Sequence, residues 1–355
     1  MSMNDSPTWL LYGATGYTGE LIAREAVRRG MRPILAGRSR TKVELLAAEL
    51  GCPHAVFSLD DHTTMLSSMQ NVAAVLHCAG PFSATARSMM QACLASHIHY
   101  FDITGEIDVF ELAHSVDDKA KRSGIVLCPG VGFDVVPTDC VALKLKEAMP
   151  DATHLTLAFD SRTGKSKGTA KTTMEAAGEG LKLRRDGKIV SAPLGSLTRK
   201  IDFGYGEKLT VGIPWGDVST AFHSTGIPNI EVFTATSPAA LLRIQRAEKM
   251  RPLLRRRLVK ALLGYRIDMS VVPPDEAQRG NSPTFIFAEV RNAAGKSIAV
   301  RFRTANGYAL TVEASLAILT EVLTRPKPPG FATPSMLMGS DFIAALPGFA
   351  EINLT

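Results

Sequence analysis

The chain has 355 residues, enough for two domains at the common size of about 100–200 residues each. Hydrophobic residues make up 45% and charged residues 21%, a balance that builds a core and excludes a disordered chain. Forty Lys and Arg against 34 Asp and Glu leave a net charge of +6, which suits acidic small ligands and does not imply nucleic acid.

Five cysteines, Cys52, Cys78, Cys93, Cys128 and Cys140, form no CxxC pair, and several sit in apolar runs. They read as reduced thiols of a cytoplasmic protein, with Cys78 the best-placed candidate for a catalytic thiol. The first apolar run, Trp9 to Tyr12, is far too short for a signal-peptide core or a membrane span.

Strand and helix patterns then alternate. Strands are expected at Trp9–Tyr12, Pro33–Ala36, Ala55–Leu59, Val72–Cys78, His99–Ile103 and Ile125–Cys128. Helices are expected at Tyr17–Arg29, Thr41–Leu50, Ala84–Ala95 and Val109–Lys121. Parallel neighbours need crossover helices, so this order predicts an α/β Rossmann fold with a doubly wound parallel sheet.

Gly13, Gly16 and Gly19 fall between the first strand and the first helix, in Gly13-Ala14-Thr15-Gly16-Tyr17-Thr18-Gly19. Gly13 permits a tight turn, Gly16 lets amides approach a pyrophosphate, and Gly19 allows helix to pack on strand. Thr15, Tyr17 and Thr18 complete this anion-binding turn at the helix N-terminus. The second strand ends Gly37-Arg38-Ser39-Arg40 with no acidic residue. A carboxylate there would bind the ribose of NAD; Arg38, with Ser39 and Arg40, instead matches a 2′-phosphate, so NADP(H) is the expected cofactor. Asp60 and Asp61 after the third strand read as a helix cap or an adenine contact. Ala79, Gly80, Pro81 and Phe82 follow the fourth strand, where such sheets bind ligands, and are expected near the nicotinamide ribose.

Tyr100, Asp102, Thr104 and Glu106 after the fifth strand, and Asp134 and Asp139 after the sixth, are the candidate acids. Tyr100, Asp102 and Asp134 are the candidate catalytic residues, weighed against a capping role for Asp102 and Glu106 and a loop-fixing role for Asp134. His97 and His99 read as structural. No Tyr is followed four residues on by Lys, since Tyr205 is followed by Lys208, which argues against short-chain dehydrogenase chemistry. HExxH is also absent, and no metal site is expected.

From His154 the texture becomes successive β-type runs: Leu155–Phe159, Arg199–Phe203, Leu209–Ile213, Ile230–Thr234, Thr284–Val290 and Ile298–Phe302. The last two flank a turn at Asn292-Ala293-Ala294-Gly295, and a helix is expected over Ala305–Leu323. The pattern predicts a second, α+β domain with a mostly antiparallel sheet, whose broad surface is a candidate homodimer interface. The expected division is 1–137 for the NADP(H)-binding domain, 138–305 for a substrate or dimerisation domain, and 306–355 for a helical segment returning to the first. Ala239–Leu263 reads as one long helix carrying Arg243, Arg246, Lys249, Arg251, Arg255, Arg256, Arg257 and Lys260. This is either a solvated face or a docking face for an anionic carrier protein or a membrane surface.

On the glycine motif, Gly37-Arg38, Ala79–Phe82, His99-Tyr100-Phe101-Asp102-Ile103-Thr104-Gly105-Glu106 and Gly132-Phe133-Asp134-Val135-Val136-Pro137-Thr138-Asp139, the chain resembles the saccharopine dehydrogenase-like oxidoreductases. Thr333-Pro334 with Gly339 adds to the likeness, which is dense over residues 9–140. The Phe133–Asp139 segment departs from the saccharopine dehydrogenases that handle amino-acid adducts and looks like the branch of the trans-acting enoyl reductases. The resemblance implies an NADP(H)-dependent reductase of a small-molecule, hydrophobic or acyl-carrier-bound substrate. A saccharopine-type amino-acid dehydrogenase and a non-catalytic NADP(H)-sensing interaction protein are the alternatives.

Overall fold

Short apolar strands joined by crossover helices suit a parallel sheet covered on both faces, and that is what the chain forms. The computed structural model describes residues 7–161, 166–254, 256–271 and 282–352. The chain divides into two units, the first comprising 1–104, 108–133 and 311–337, the second 105–107, 134–310 and 338–355.

The first unit holds β1 (Trp9–Tyr12), α1 (Tyr17–Arg28), β2 (Ile34–Gly37), α2 (Arg40–Leu50), β3 (His54–Val56) and α3 (His62–Ser68). Then follow β4 (Ala74–His77), α4 (Phe82–Ser96), β5 (His99–Asp102), α5 (Ile107–Ser115), α6 (Asp117–Ser123) and β6 (Val126–Cys128). Every residue of β1 and β4 is buried. All pairings are parallel, and six of the strands stand in the order β6-β5-β4-β1-β2-β3. The order reverses beside β1, so the crevice at a Rossmann switch point opens beyond the carboxyl ends of β1 and β4.

Three local expectations are corrected. The third strand stops at Val56, and Phe57 turns to pack on the Tyr12 ring at 4.9 Å between centroids. The helix expected over Val109–Lys121 is two helices, α5 and α6, broken at Val116. Ser115 caps back onto Leu112 O at 2.7 Å, and Asp117 and Asp118 open the first turn of α6, where acidic side chains suit the helix dipole. The sheet has seven strands, not six: β15 (Gly330–Phe331) adds beside β6. Gly330 takes a φ of +124°, and the Phe331 amide donates to Asp117 Oδ1 at 2.7 Å.

The second unit is built on β7 (Ala152–Ser161), a ten-residue strand. Its sheet runs β10 (Thr198–Asp202), β11 (Glu207–Gly212), β12 (Asn229–Ala235), β7, β13 (Thr284–Asn292), β14 (Ser297–Thr304) and β16 (Ala350–Glu351). Only β12 and β7 pair in parallel; the other neighbours along this path are antiparallel. The expected turn at Asn292–Gly295 joins β13 to β14, with Asn292 Oδ1 accepting from the Lys296 amide at 3.0 Å. A hairpin of β8 (Leu181–Arg185) and β9 (Lys188–Ala192) pairs onto β12. Its signal lies in Asp186-Gly187, where both residues adopt a positive φ, 48° and 77°, as a tight hairpin turn requires.

The helices of this unit are α7 (Val136–Ala148), α8 (Lys167–Glu179), α9 (Asp217–Thr225), α10 (Pro238–Lys249), α11 (Arg251–Leu254) and α12 (Arg257–Ser270). The single basic helix expected over 239–263 is therefore three helices, with Pro252 opening the short α11. Arg255 lies outside the described residues, as do the side chains of Arg257 and Lys260. Helix α13 (Gly307–Thr324) is long and apolar enough to cross a membrane by composition, but half of it is buried within the protein.

The core of the second unit contains two carboxyl groups that water does not reach. Asp139 on α7 and Asp217 at the start of α9 are both fully buried, and Ser224 donates to Asp139 Oδ1 at 2.7 Å. Burial, reinforced by the neighbouring Asp139, pushes the Asp217 carboxyl well above the usual range, so it keeps its proton. A raised folded-state pKa stabilises the protein below pH 4 and loses that contribution as pH rises through the folded value. The Asp217→Asn protein should therefore be more stable than wild type at pH 8, by about 1 kcal/mol or more. The two should converge as pH falls toward 4, as read by urea melts across that range.

Candidate cofactor site in the first unit

The site begins as a problem of backbone clearance. Gly13 sits at a φ of +82°, and a Cβ there would come within 2.8 Å of the Cys78 carbonyl carbon and the Ala79 nitrogen. The glycine turn after β1 and the loop after β4 therefore touch through bare backbone. A Cβ on Gly19 would overlap the Gly13 carbonyl oxygen, whereas one on Gly16 would meet that oxygen at 3.2 Å, a tight but tolerable approach. The Gly13 and Ala14 amides donate to Ala36 O at 2.8 and 3.1 Å, which ties the turn to the end of β2.

Helix α1 starts from Gly16, with no side chain capping it. A helix start of this kind turns backbone amides and the positive end of the helix dipole toward one point, which makes a seat for an anion. Gly16 is exposed, Thr15, Tyr17 and Thr18 half-buried, and Gly19 buried. A pyrophosphate thus fits the turn on three observations: the missing Cβ atoms, the uncapped helix and the open Gly16.

At the end of β2, Arg38 and Ser39 are exposed, and Arg38 makes no hydrogen bond or ion pair among the described residues. Arg40 differs: it pairs with Glu44 at 3.0 Å, one turn along α2, so its charge is partly committed. Gly37 lies against Thr15 Oγ1 and Val43, joining the two halves of the nucleotide seat. Asp61 caps α3 by accepting from the Thr64 amide at 3.1 Å, which settles its role as structural.

The loop after β4 is held from within. Its Gly80–Pro81 peptide is cis, and Thr85 Oγ1 lies 2.8 Å from Ala79 O and 2.9 Å from His77 Nε2. With the Thr85 hydroxyl donating to Ala79, His77 must donate from Nε2, and its buried Nδ1 has no partner. The His77 ring packs edge-on to Phe82 at 5.4 Å and near Tyr12 at 5.5 Å. Burial lowers its pKa to about 3. His77, which sequence reasoning passed over inside an apolar strand, is thus the hub of this loop.

The candidate acids separate. Tyr100 and Asp102 are brought together in the first unit: the Tyr100 hydroxyl donates to Asp102 Oδ2 at 2.6 Å, and both are fully buried. Asp102 Oδ1 accepts from the Thr104 and Gly130 amides, both at 2.9 Å. Asp102 therefore knots the loops after β5 and β6, and its bond to Thr104 replaces the helix-cap role considered for it. Burial and then Asp102 push the Tyr100 hydroxyl well above its ordinary pKa. Asp134 belongs to the second unit, half-buried, with its side chain lying over Gly105 at the distance where a Cβ would be 3.0 Å away. His99 Nδ1 accepts from the Val126 amide, and His97 Nδ1 bonds Ser123 O, each at 2.9 Å, as structural histidines. Burial, with Asp102 nearby, drives the Cys78 thiol pKa far upward, which removes it as a thiolate nucleophile. No group of three metal-ligating side chains is found among the described residues.

Comparison with known proteins agrees with this geometry. The profile of the saccharopine dehydrogenase NADP binding domain matches residues 9–128. A saccharopine dehydrogenase-like oxidoreductase of Bos taurus is 26% identical over 160 residues, covering 39% of this chain and 37% of its own length. A Mycobacterium tuberculosis protein assigned by name alone as a trans-acting enoyl reductase is 33% identical over 149 residues, covering 39% of this chain and 35% of its length. The match thus spans little more than a third of either relative. The saccharopine dehydrogenase (L-Glu forming) of Saccharomyces cerevisiae shares the fold with a TM-score of 0.64 at 12% identity, over 95% of this chain and 96% of that one.

Two outcomes follow from the geometry. Gly19→Ala should destabilise the protein by at least about 2 kcal/mol, because backbone must move. Gly16→Ala should leave the melting temperature near wild type while weakening NADPH binding about tenfold or more, measured by calorimetry and thermal melts. His77, neutral in the fold, should cost stability as pH falls from 6.5 toward 3. That loss, on the order of 4 kcal/mol at the acid end, should flatten in His77→Gln, read by urea melts. The turn, the sheet order and the comparisons converge: residues 9–128 match the model of the saccharopine dehydrogenase NADP binding domain, and through them the chain resembles the saccharopine dehydrogenase-like oxidoreductases.

Proposed function

We propose that the protein is an NADP(H)-dependent reductase that prefers NADPH to NADH and acts on a hydrophobic or carrier-bound substrate in the manner of an enoyl reductase. The observation that carries the cofactor preference is Arg38, exposed at the end of β2 with no protein partner among the described residues. A guanidinium left unpaired beside a nucleotide seat is complementary to a 2′-phosphate, with which it forms two parallel charge-assisted hydrogen bonds. No carboxylate stands in Gly37-Arg38-Ser39-Arg40 to favour a free 2′-hydroxyl. The substrate class rests on the likeness to the mycobacterial relative that bears the enoyl reductase name.

The nicotinamide, when bound, carries the hydride. The chain's own residues place it. Gly13, Gly16 and Gly19 receive the pyrophosphate on the first turn of α1, and Arg38 with Ser39 holds the adenine-side phosphate. Ala79, Gly80, Pro81 and Phe82 border the nicotinamide ribose, their backbone fixed by Thr85 and His77. Tyr100 and Asp102 are positioning residues in this reading, since the Tyr100 proton is committed to Asp102 in a site closed to water. Asp134, half-exposed, is the candidate acid retained for proton transfer.

Calorimetric titration with NADPH and NADH tests the reading. Wild type should bind NADPH more tightly, and Arg38→Ala should lose about 1.5–3 kcal/mol toward NADPH alone, the worth of a hydrogen bond to a charged group. Equal binding of the two cofactors by wild type would overturn the 2′-phosphate assignment. Tight binding without turnover on enoyl and ketone substrates would favour a sensing protein.

A further inference from the structure

The positive charge of this protein is concentrated in one place. Residues 238–271 contain nine Lys and Arg and two Asp and Glu, a net of +7, against +6 for the whole chain. The remaining residues together therefore carry −1. This segment forms α10, α11 and α12.

Helix α10 has two distinct faces. Leu241, Ile244 and Gln245 lie against Gly195, Gln245 donates to Gly195 O at 3.1 Å, and Glu248 accepts from the Leu194 amide at 3.0 Å. The opposite face presents Leu242, Arg243, Arg246, Lys249 and Met250 to solvent. On α12, Leu262, Tyr265, Arg266 and Met269 are exposed at the i, i+3, i+4, i+7 spacing of a single helical stripe. Of the nine large hydrophobic residues exposed among the described ones, five belong to this segment, at 54% to 73% exposure. None of the exposed cations Arg243, Arg246, Lys249, Arg256 and Arg266 pairs with a carboxylate among the described residues.

An amphipathic stripe is ordinarily turned inward, and one left in water beside unpaired cations needs another apolar surface. A second copy of this chain would bring two surfaces of like charge together, which opposes a symmetric contact. An anionic bilayer answers both features: its headgroups meet the arginines and lysines, and its acyl boundary accepts the Leu, Met and Tyr side chains.

We propose that α10 and α12 dock the protein on anionic lipid membranes, with Arg243, Arg246 and Lys249 facing the headgroups and Leu262, Tyr265 and Met269 inserted at the interface. The inference is independent of the cofactor assignment, and NADPH binding serves as the control for folding.

Flotation of the full chain with neutral phosphatidylcholine vesicles and with vesicles containing phosphatidylglycerol tests it. Wild type should float only with the anionic vesicles, and less so at high salt. Each cation near such a surface is worth about fivefold in affinity. The triple variant Arg243→Gln, Arg246→Gln, Lys249→Gln should therefore lose roughly 100-fold. Leu262→Ser, Tyr265→Ser, Met269→Ser should lose at least about tenfold. Both variants change solvent-facing side chains and should bind NADPH like wild type. Wild type that ignores anionic vesicles, or binds neutral ones equally, would overturn the proposal. So would a wild-type dimer that the serine variant makes monomeric, or retention by a soluble polyanion with no flotation.

Discussion

The nucleotide seat depends on how closely two stretches of backbone can approach. Strands β1 and β4 are parallel neighbours in register, Tyr12 beside His77, so the segments leaving them meet at once. Gly13 answers this by having no Cβ and by turning at a φ of +82°, which lets Cys78 and Ala79 come into contact with it. The start of α1, the position of Ala79 and the direction in which the first-turn amides point all follow from that approach. A side chain at Gly16 or Gly19 would press on the same Gly13 carbonyl oxygen, and so the motif works as a set.

Around this contact the protein spends buried polar groups on holding loops. Asp102 meets three donors, from Tyr100, Thr104 and Gly130, and so joins the ends of β5 and β6. His77 and Thr85 hold the loop after β4 in the same way. A polar group taken out of water costs free energy unless it is paired, which makes such knots specific to one loop arrangement. Asp217, in the other unit, shows the contrary solution: a buried carboxyl beside another carboxyl keeps its proton rather than its charge.

The two units differ in how far they resemble known proteins. The family match ends at residue 128, the end of β6, and does not reach 311–337, the later segment that gives the first unit its seventh strand. The second unit carries the mixed sheet and the basic helices, and a shared fold at 12% identity says nothing of what it binds. The match therefore bears on the nucleotide seat and not on the second unit.

Much of the first unit was legible in the sequence, because a doubly wound sheet writes itself locally. Apolar runs marked the strands, glycines stood where a backbone must turn or be approached, and Arg38 in place of an acid indicated the cofactor. The Asp186-Gly187 hairpin was equally local and was passed over, since its flanking strands are charged. What no local pattern encodes is which polar groups burial brings together. Tyr100 and Asp102, two residues apart on a strand, read as candidate acids, and only the packing of β6 behind them showed that their bonds close on each other and on Gly130. Likewise the seventh strand at Gly330 beside β6 and the bond from Ser224 to Asp139 are contacts between segments far apart in the chain. Sequence periodicity determines which face of an element is apolar; which other element covers that face, and at what charge state, is decided by tertiary packing because desolvation and hydrogen-bond closure exist only once the chain has folded.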